Sequence, residues 1–397
     1  TFAITLAASA AHADEGMWMP SQLPQLAAQL KAAGFAGDPA QLADVTRPPL
    51  AAVVSLGGCT ASFVSRQGLV VTNHHCAMGA IQLNSTPENN LIENGFIAHT
   101  PAEEVSAGPA ARIFVTVGFD NITDRILAGA RGKTGRPYFD AVDMAKKAAV
   151  AQCEADAGHR CSVADMYYGS EFYLIKQLEL KDIRLVYAPP VSIGNYGDEI
   201  DNFMWPRHVG DFSFYRAYVG KNGKPAAYNK DNVPYAPPAV LHISTAPVKA
   251  GDFAMVAGYP GVTFRHRTAS EFANQIDWLL PNRVAMFDGL IHTIEQASAG
   301  DKAKQVLYAS NVASMKNNLK RAQGELEGLR RSDAIHVRAA DEKAMLAWLS
   351  KQPNAKPELA GIAALQAQLN QADAQRERDF ILPFLRPGLL GAAVQLQ

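Results

Sequence analysis

The sequence predicts an all-β plus α chain, an antiparallel barrel or sandwich followed by a helical domain, and three observations carry that prediction. From about Leu50 to Phe264, short β-rich runs alternate with turn residues: AAVVSLGG, SFVS, GLVVTN, IRLVYAPP, DFSFYRAYVG, AVLHIST and DFAMVAGYPG. Runs this short and this closely spaced suit antiparallel barrels or sandwiches, not strands alternating with helices. From about Thr268 the texture changes to long segments of 3.6-residue period: EFANQIDWLLPNRVAMFDGLIHTIEQ, VASMKNNLKRAQGELEGLRR, DEKAMLAWLSKQ and AGIAALQAQLNQADAQRERDF. The third observation is length: at 397 residues, 48% hydrophobic and 19% charged, the chain exceeds the ~250–300 residues at which one core stops growing. A boundary is expected near Gly258–Arg267, giving a β domain over 14–265 and a helical domain over 266–397.

At the N-terminus, TFAITLAASAAHA is an apolar stretch closed by Ala11-His12-Ala13 and followed by Asp14-Glu15. That is the pattern of a secretory signal with its small-residue cleavage site. Residues 1–13 are read as a signal-peptide remnant, cut after Ala13, since no initiator Met or charged leader precedes them. No later apolar run reaches the ~20 residues a membrane span takes, so a soluble periplasmic or secreted protein is expected. Lys plus Arg number 37 against 38 Asp plus Glu, a net charge of -1. There is no basic excess to draw nucleic acid as a partner.

The next informative stretch is GLVVTNHHCA, residues 68–77. Cys59 and Cys76 pair naturally as one local disulfide, tying the ends of a hairpin, and Cys153 with Cys161 as another, within the helical patch YFDAVDMAKKAAVAQCEA and just beyond it. A bridge closing a loop the size of Cys59–Cys76 is worth roughly 3 kcal/mol. Placed at the end of a strand, His74 and His75 point to opposite faces and do not readily share an ion with Cys76. No metal or other cofactor is therefore expected. A zinc site and a packed structural pair are the competing readings, but a general base fits best: an imidazole held rigidly at a cleft mouth, with a carboxylate on its far ring nitrogen. His75, pinned by its cysteine neighbour, is the candidate, and His74 is expected to face packing.

The carboxylate should also open a strand. Asp211, after Gly210 and before the alternation of Phe212, Phe214 and Tyr218, meets this, as does Asp252 in KAGDFAMVAGYPG. An Asp after Gly is ordinarily a turn residue, so the pattern leaves both open. Ahead of Asp211, YGDEIDNFMWPRHVG gathers Asp198, Glu199, Asp201, Asn202, Phe203, Trp205, Arg207 and His208, far more chemistry than a turn needs.

Together with GCTASFVSRQGLVVTNHHC, GMWMP and AGYPGVTFR, this stretch resembles the bacterial exo-acting serine dipeptidyl peptidases of peptidase family forty-six. These include the dipeptidyl aminopeptidase BII and dipeptidyl-peptidase 7 and 11 types, and the resemblance runs from Gly16 over nearly the whole chain. It implies a chymotrypsin-like double β-barrel with an inserted α-helical cap domain that restricts cleavage to dipeptides from a free N-terminus. It places the triad histidine on His75 and the aspartate on Asp211, and leaves Asp252 as a turn residue. It assigns capture of the substrate's N-terminal ammonium to Asn202, Phe203 and Asn317; the family's usual tryptophan is Phe203 here, which keeps a ring and loses the indole donor. Oligopeptides with a free N-terminus are the expected partners, and a homodimer the expected assembly. A chymotrypsin-like serine sits in a Gly-x-Ser-Gly turn, and no such stretch occurs in the 397 residues. The chain is therefore read as truncated within the helical domain, and as inactive by itself. The alternative is a non-catalytic protease-like module that binds peptide N-termini.

Overall fold

A computed structural model describes residues 16–385, apart from 87, 262, 263 and 265. Residues 1–13, read above as a signal-peptide remnant, and the last twelve residues lie outside the described residues. By its internal contacts the chain divides into two units: residues up to Gly197 together with His208–Gly261, and Asp198–Arg207 together with the chain beyond Gly261.

The first unit holds a large antiparallel sheet. Its strands are β1 (Val53–Ser55), β2 (Thr60–Phe63), β3 (Leu69–Thr72), β4 (Phe96–Ile97), β5 (Val105–Ser106), β6 (Ile113–Asn121), β7 (His159–Met166), β8 (Glu171–Leu180), β9 (Asp182–Ala188), β10 (Ser213–Val219) and β11 (Val233–Pro234). They lie in the order β4-β9-β10-β3-β2-β1-β6-β8-β7, with β11 on β10 and β5 on β9. Burial alternates along β2 and β3, as period-two side chains require. The inward face supplies one core of Val54, Phe63, Val70, Ile113, Leu180, Leu185 and Tyr215. Ala77 and Ile81 of the helix His74–Leu83 join that core.

Each of β9 and β10 carries an ion pair shielded from solvent, and β10 leads directly from the candidate site. Arg184 donates two hydrogen bonds to Asp182, of 3.0 and 2.8 Å. Its guanidinium also lies 3.8 Å from the Tyr218 ring centroid, a contact favoured by the ring's electron-rich face. Arg216 and the Tyr218 hydroxyl both donate to Glu104, at 2.8 and 2.7 Å. With both charges of each pair partnered, burial is tolerated, and the Arg184–Tyr218 contact is the one that crosses from β9 to β10.

Three expectations are corrected here. AVLHIST and DFAMVAGYPG, expected as strands, form no ladder among the described residues. Leu241 N–H reaches Phe63 O at 2.8 Å, but Ile243 is 66% and Val256 100% exposed, and alternation becomes a strand only where a neighbour offers its backbone. Tyr259 nonetheless anchors the segment, its N–H donating to Thr60 Oγ1 at 2.9 Å and its hydroxyl sharing a 2.6 Å hydrogen bond with Thr116. Conversely, the longest strands, β6, β7 and β8, were not anticipated. Finally, His74 and His75 begin a helix, not the end of a strand.

The second unit is helical. Thr268 and Glu271 form a capping box that starts the helix Ala269–Asn274. A π-helical turn at Gln275–Leu279 leads into Leu280–Ala297, where Pro281 sits in the first turn. Proline has no N–H to give, so the ladder loosens where it enters. The helices Lys302–Arg331, Ala334–Leu349 and Ala355–Ile381 follow, matching the periodic segments.

Candidate active site

β3 and β10 pair antiparallel with Ser213 opposite Thr72. Continuing that register past the strand ends brings residue 211 to the start of the helix His74–Leu83. Gly210 holds the approach: its N–H donates to Ile193 O at 2.9 Å, and a Cβ on it would meet Ile193 Cγ2 at 2.7 Å. Phe212 N–H then donates to Gly210 O at 2.8 Å, a three-residue turn with Asp211 at its apex.

His75 Nδ1 and Asp211 Oδ2 are 2.9 Å apart, and His75 backbone N–H donates to Asp211 Oδ1 at 3.1 Å. The Asn73 side-chain amide adds donors to Asp211 Oδ2 at 3.1 Å and to its backbone carbonyl at 3.2 Å. Burial pushes the Asp211 carboxyl up, yet these donors together hold it below the ordinary carboxylate range. An ionised carboxylate only accepts, so Nδ1 carries the ring proton and Nε2 keeps its lone pair, the tautomer a general base needs.

The disulfide Cys59–Cys76 fixes this turn of helix to the residue before β2, and Cys153–Cys161 joins the helix Gly135–Glu154 to β7. Both expected bridges are present. The sulfurs of Cys59 and Cys76 cluster with His75, but both are spent in the disulfide, and the metal-binding form of cysteine is the thiolate.

His74 is buried at 1% exposure and packs on Gly194, where an added Cβ would lie 2.4 Å from the imidazole. Burial pushes its pKa below 6.5 despite the nearby Asp211 charge. For both His74 and Asp211 the folded state binds protons more weakly than the unfolded chain, so stability rises with pH through their titration range. The thermal midpoint is expected to fall as pH drops below about 6.5, and again below about 3.8, where the unfolded chain's carboxyl takes up a proton that folded Asp211 still resists. Melting curves between pH 8 and 3 test this; His74→Gln should flatten the upper step, and an equal slope in that variant would contradict it.

Asp252 lies apart from this arrangement: its Oδ2 accepts from Lys249 N–H at 2.8 Å in an exposed turn.

In the second unit, Asn202 Nδ2 donates to Asn317 Oδ1 at 2.8 Å and to Glu199 Oε2 at 3.0 Å. Arg207 Nη1 donates to Asn202 Oδ1 at 3.0 Å. Asn318 instead turns back to Ser314 O at 2.8 Å, so the helix register puts Asn317 beside Asn202. Among the described residues each amide oxygen accepts one hydrogen bond of the two it can take. Phe203 is 57% exposed with φ at 58°, an outlier for a bulky residue of the kind that collects at functional sites. Glu199 and Arg207, which complete this network, were not singled out from sequence for that role; their crowding beside Asn202 was the available signal.

Comparison with known proteins places these residues in a family. Over 374 residues the chain is 44% identical to an Asp/Glu-specific dipeptidyl-peptidase of Shewanella putrefaciens, covering 93% of this chain and 51% of that protein. It is 35% identical over 388 residues to dipeptidyl-peptidase 7 of Porphyromonas gingivalis, covering 94% and 53%. The crystal structure of Porphyromonas endodontalis DPP11 in complex with the dipeptide Arg-Glu matches with a TM-score of 0.82 at 32% identity, covering 93% of this chain and 54% of that one. The chain thus spans about half the length of the curated relatives it matches. With the family model Peptidase S46 matching residues 13–396, the chain belongs to the peptidase S46 family.

Proposed function

We propose that this chain carries the general base and orienting carboxylate of a serine dipeptidyl aminopeptidase, which releases dipeptides from the free N-terminus of oligopeptides. The observation that carries the reading is the 2.9 Å contact of His75 Nδ1 with an Asp211 carboxylate that also receives the His75 backbone N–H at 3.1 Å. In this reading His75 Nε2 takes the proton of a serine hydroxyl as that oxygen attacks the scissile carbonyl, and returns it to the leaving amine. Asp211 stabilises the imidazolium formed between the two steps.

The reading extends to a chymotrypsin-like double barrel with a helical cap as the architecture of the whole protein and to a homodimer as its assembly, both as the resemblance of the sequence motifs implies. Asn202 and Asn317 offer the remaining lone pairs of their amide oxygens to the substrate ammonium, with the ring of Phe203 beside them. Among the described residues no helix is long and apolar enough to cross a membrane, and the two disulfides suit an oxidising compartment such as the periplasm.

Exopeptidase selectivity is the testable core of this proposal. A peptide with a free N-terminus is expected to be cut at least roughly a hundredfold more efficiently than its N-acetylated form, because acetylation removes the donor that the amides bind in this reading. The ratio of kcat/KM on the matched pair measures it, and efficient cleavage of the acetylated peptide would point to an endopeptidase. Expressed alone, residues 14–397 should remain unlabelled by a fluorophosphonate probe, since they contain no Gly-x-Ser-Gly turn. Stoichiometric labelling of that stretch would put the nucleophile within it.

A further inference from the structure

Asn73 occupies the N-cap position of the helix His74–Leu83, yet its side chain makes no capping hydrogen bond. Asparagine is among the strongest N-cap residues because its oxygen accepts a first-turn N–H. Here that service comes from 136 residues away: Asp211 Oδ1 accepts the N–H of His75, the second residue of the helix. The Asn73 amide is thereby released to act as a donor, and it reaches both Asp211 Oδ2 and the Asp211 carbonyl. Oδ2 is the same oxygen that faces His75 Nδ1. Three donors from two residues of one turn, Asn73 and His75, therefore converge on a single carboxylate: the His75 N–H sets Oδ1, and the Asn73 amide and His75 Nδ1 share Oδ2 and fix the carboxylate plane.

We propose that Asn73 is a positioning residue for the catalytic pair, its amide holding the Asp211 carboxylate in the orientation that receives the His75 imidazole. The inference rests on the hydrolytic reading above for its kinetic consequence, while its geometry stands apart from that reading. It assigns to Asn73 a role opposite to the one its position implies, donor to a distant carboxylate and not acceptor for its own helix.

The two roles separate in the full-length protein with Asn73→Ser and Asn73→Asp. Serine and aspartate both cap helices as well as asparagine does, so both variants are expected to fold with thermal midpoints near the parent's. Neither can reproduce the amide's double donation, and Asn73→Asp sets a second carboxylate beside Asp211. The kcat on a dipeptidyl substrate should fall about 10- to 100-fold with KM little changed, the scale that outer partners of a functional imidazole command in metal sites. The His75 imidazole, followed by proton NMR alongside His74, should titrate at higher pH in Asn73→Asp, because an added negative charge favours the imidazolium. Parental kcat and parental His75 titration in both variants would reduce Asn73 to a helix cap and overturn the proposal. If the parent releases no dipeptides, the hydrolytic reading fails, and the His75 titration then decides the Asn73 inference alone.

Discussion

His75→Ala in the full-length protein is expected to lower kcat on a dipeptidyl substrate by ~10⁴-fold or more, the scale for members of a catalytic triad. The loss should appear in kcat with KM nearly unchanged, since the imidazole acts on the proton of the nucleophile and does not hold the peptide. His74→Ala is the matched control. Its imidazole is enclosed against Gly194, so truncation opens a cavity and lowers stability while leaving the proton path in place. Steady-state kinetics beside melting curves resolve the two. Equal losses of kcat in both variants would remove the basis for choosing His75.

Asp211→Asn should cost roughly 10⁴ in kcat with the fold retained, and the hydrogen bonds say why. The His75 backbone N–H donates to Oδ1, so the substituted amide must keep its carbonyl oxygen there. Its NH₂ then stands where Oδ2 was, facing both the Asn73 amide and His75 Nδ1. A donor opposite Nδ1 draws that nitrogen's lone pair and moves the ring proton to Nε2, which can no longer accept from a nucleophile. At 1.36 kcal/mol per factor of ten, this amounts to about 5.5 kcal/mol of transition-state stabilisation. Asp252→Asn, in an exposed turn with Lys249, should leave kcat within a few-fold of the parent. A severe Asp252 variant beside a healthy Asp211 variant would reverse the assignment.

The residues of the site were legible because their chemistry is local. An imidazole next to a disulfide cysteine, and an aspartate between a glycine and an alternating strand, are patterns a few residues long. What the residue pattern by itself left open was the partnership, Asp211 and Asp252 fitting alike until the family resemblance chose Asp211, because the pairing of β3 with β10 depends on which edges remain free once every other strand is placed. The helices of the second unit were legible for the same reason as the site, a 3.6-residue period carried within each segment. By contrast, β7 and β8 meet through a turn at Tyr167 and Tyr168 with φ of 48° and 56°, where no Asn-Gly or Asp-Gly pair announces a hairpin. Asn73 misleads outright: by local rules it is a cap, and only Asp211 arriving from elsewhere turns it into a donor.

The distance along the chain between His75 and Asp211, 136 residues, has a consequence for biosynthesis. At ~5–20 residues per second on the ribosome, the second partner emerges roughly 7 to 27 s after the first. During that interval β2 and β3 can close as a hairpin, but the outer edge of β3 has no mate, because β10 has not been made. A bare edge of Leu69, Val70 and Val71 is a template for wrong pairing. The nascent chain therefore passes through a window in which this edge is open to wrong pairing. Through the same window the His75 imidazole is without its carboxylate, since the two meet only when β10 pairs with β3.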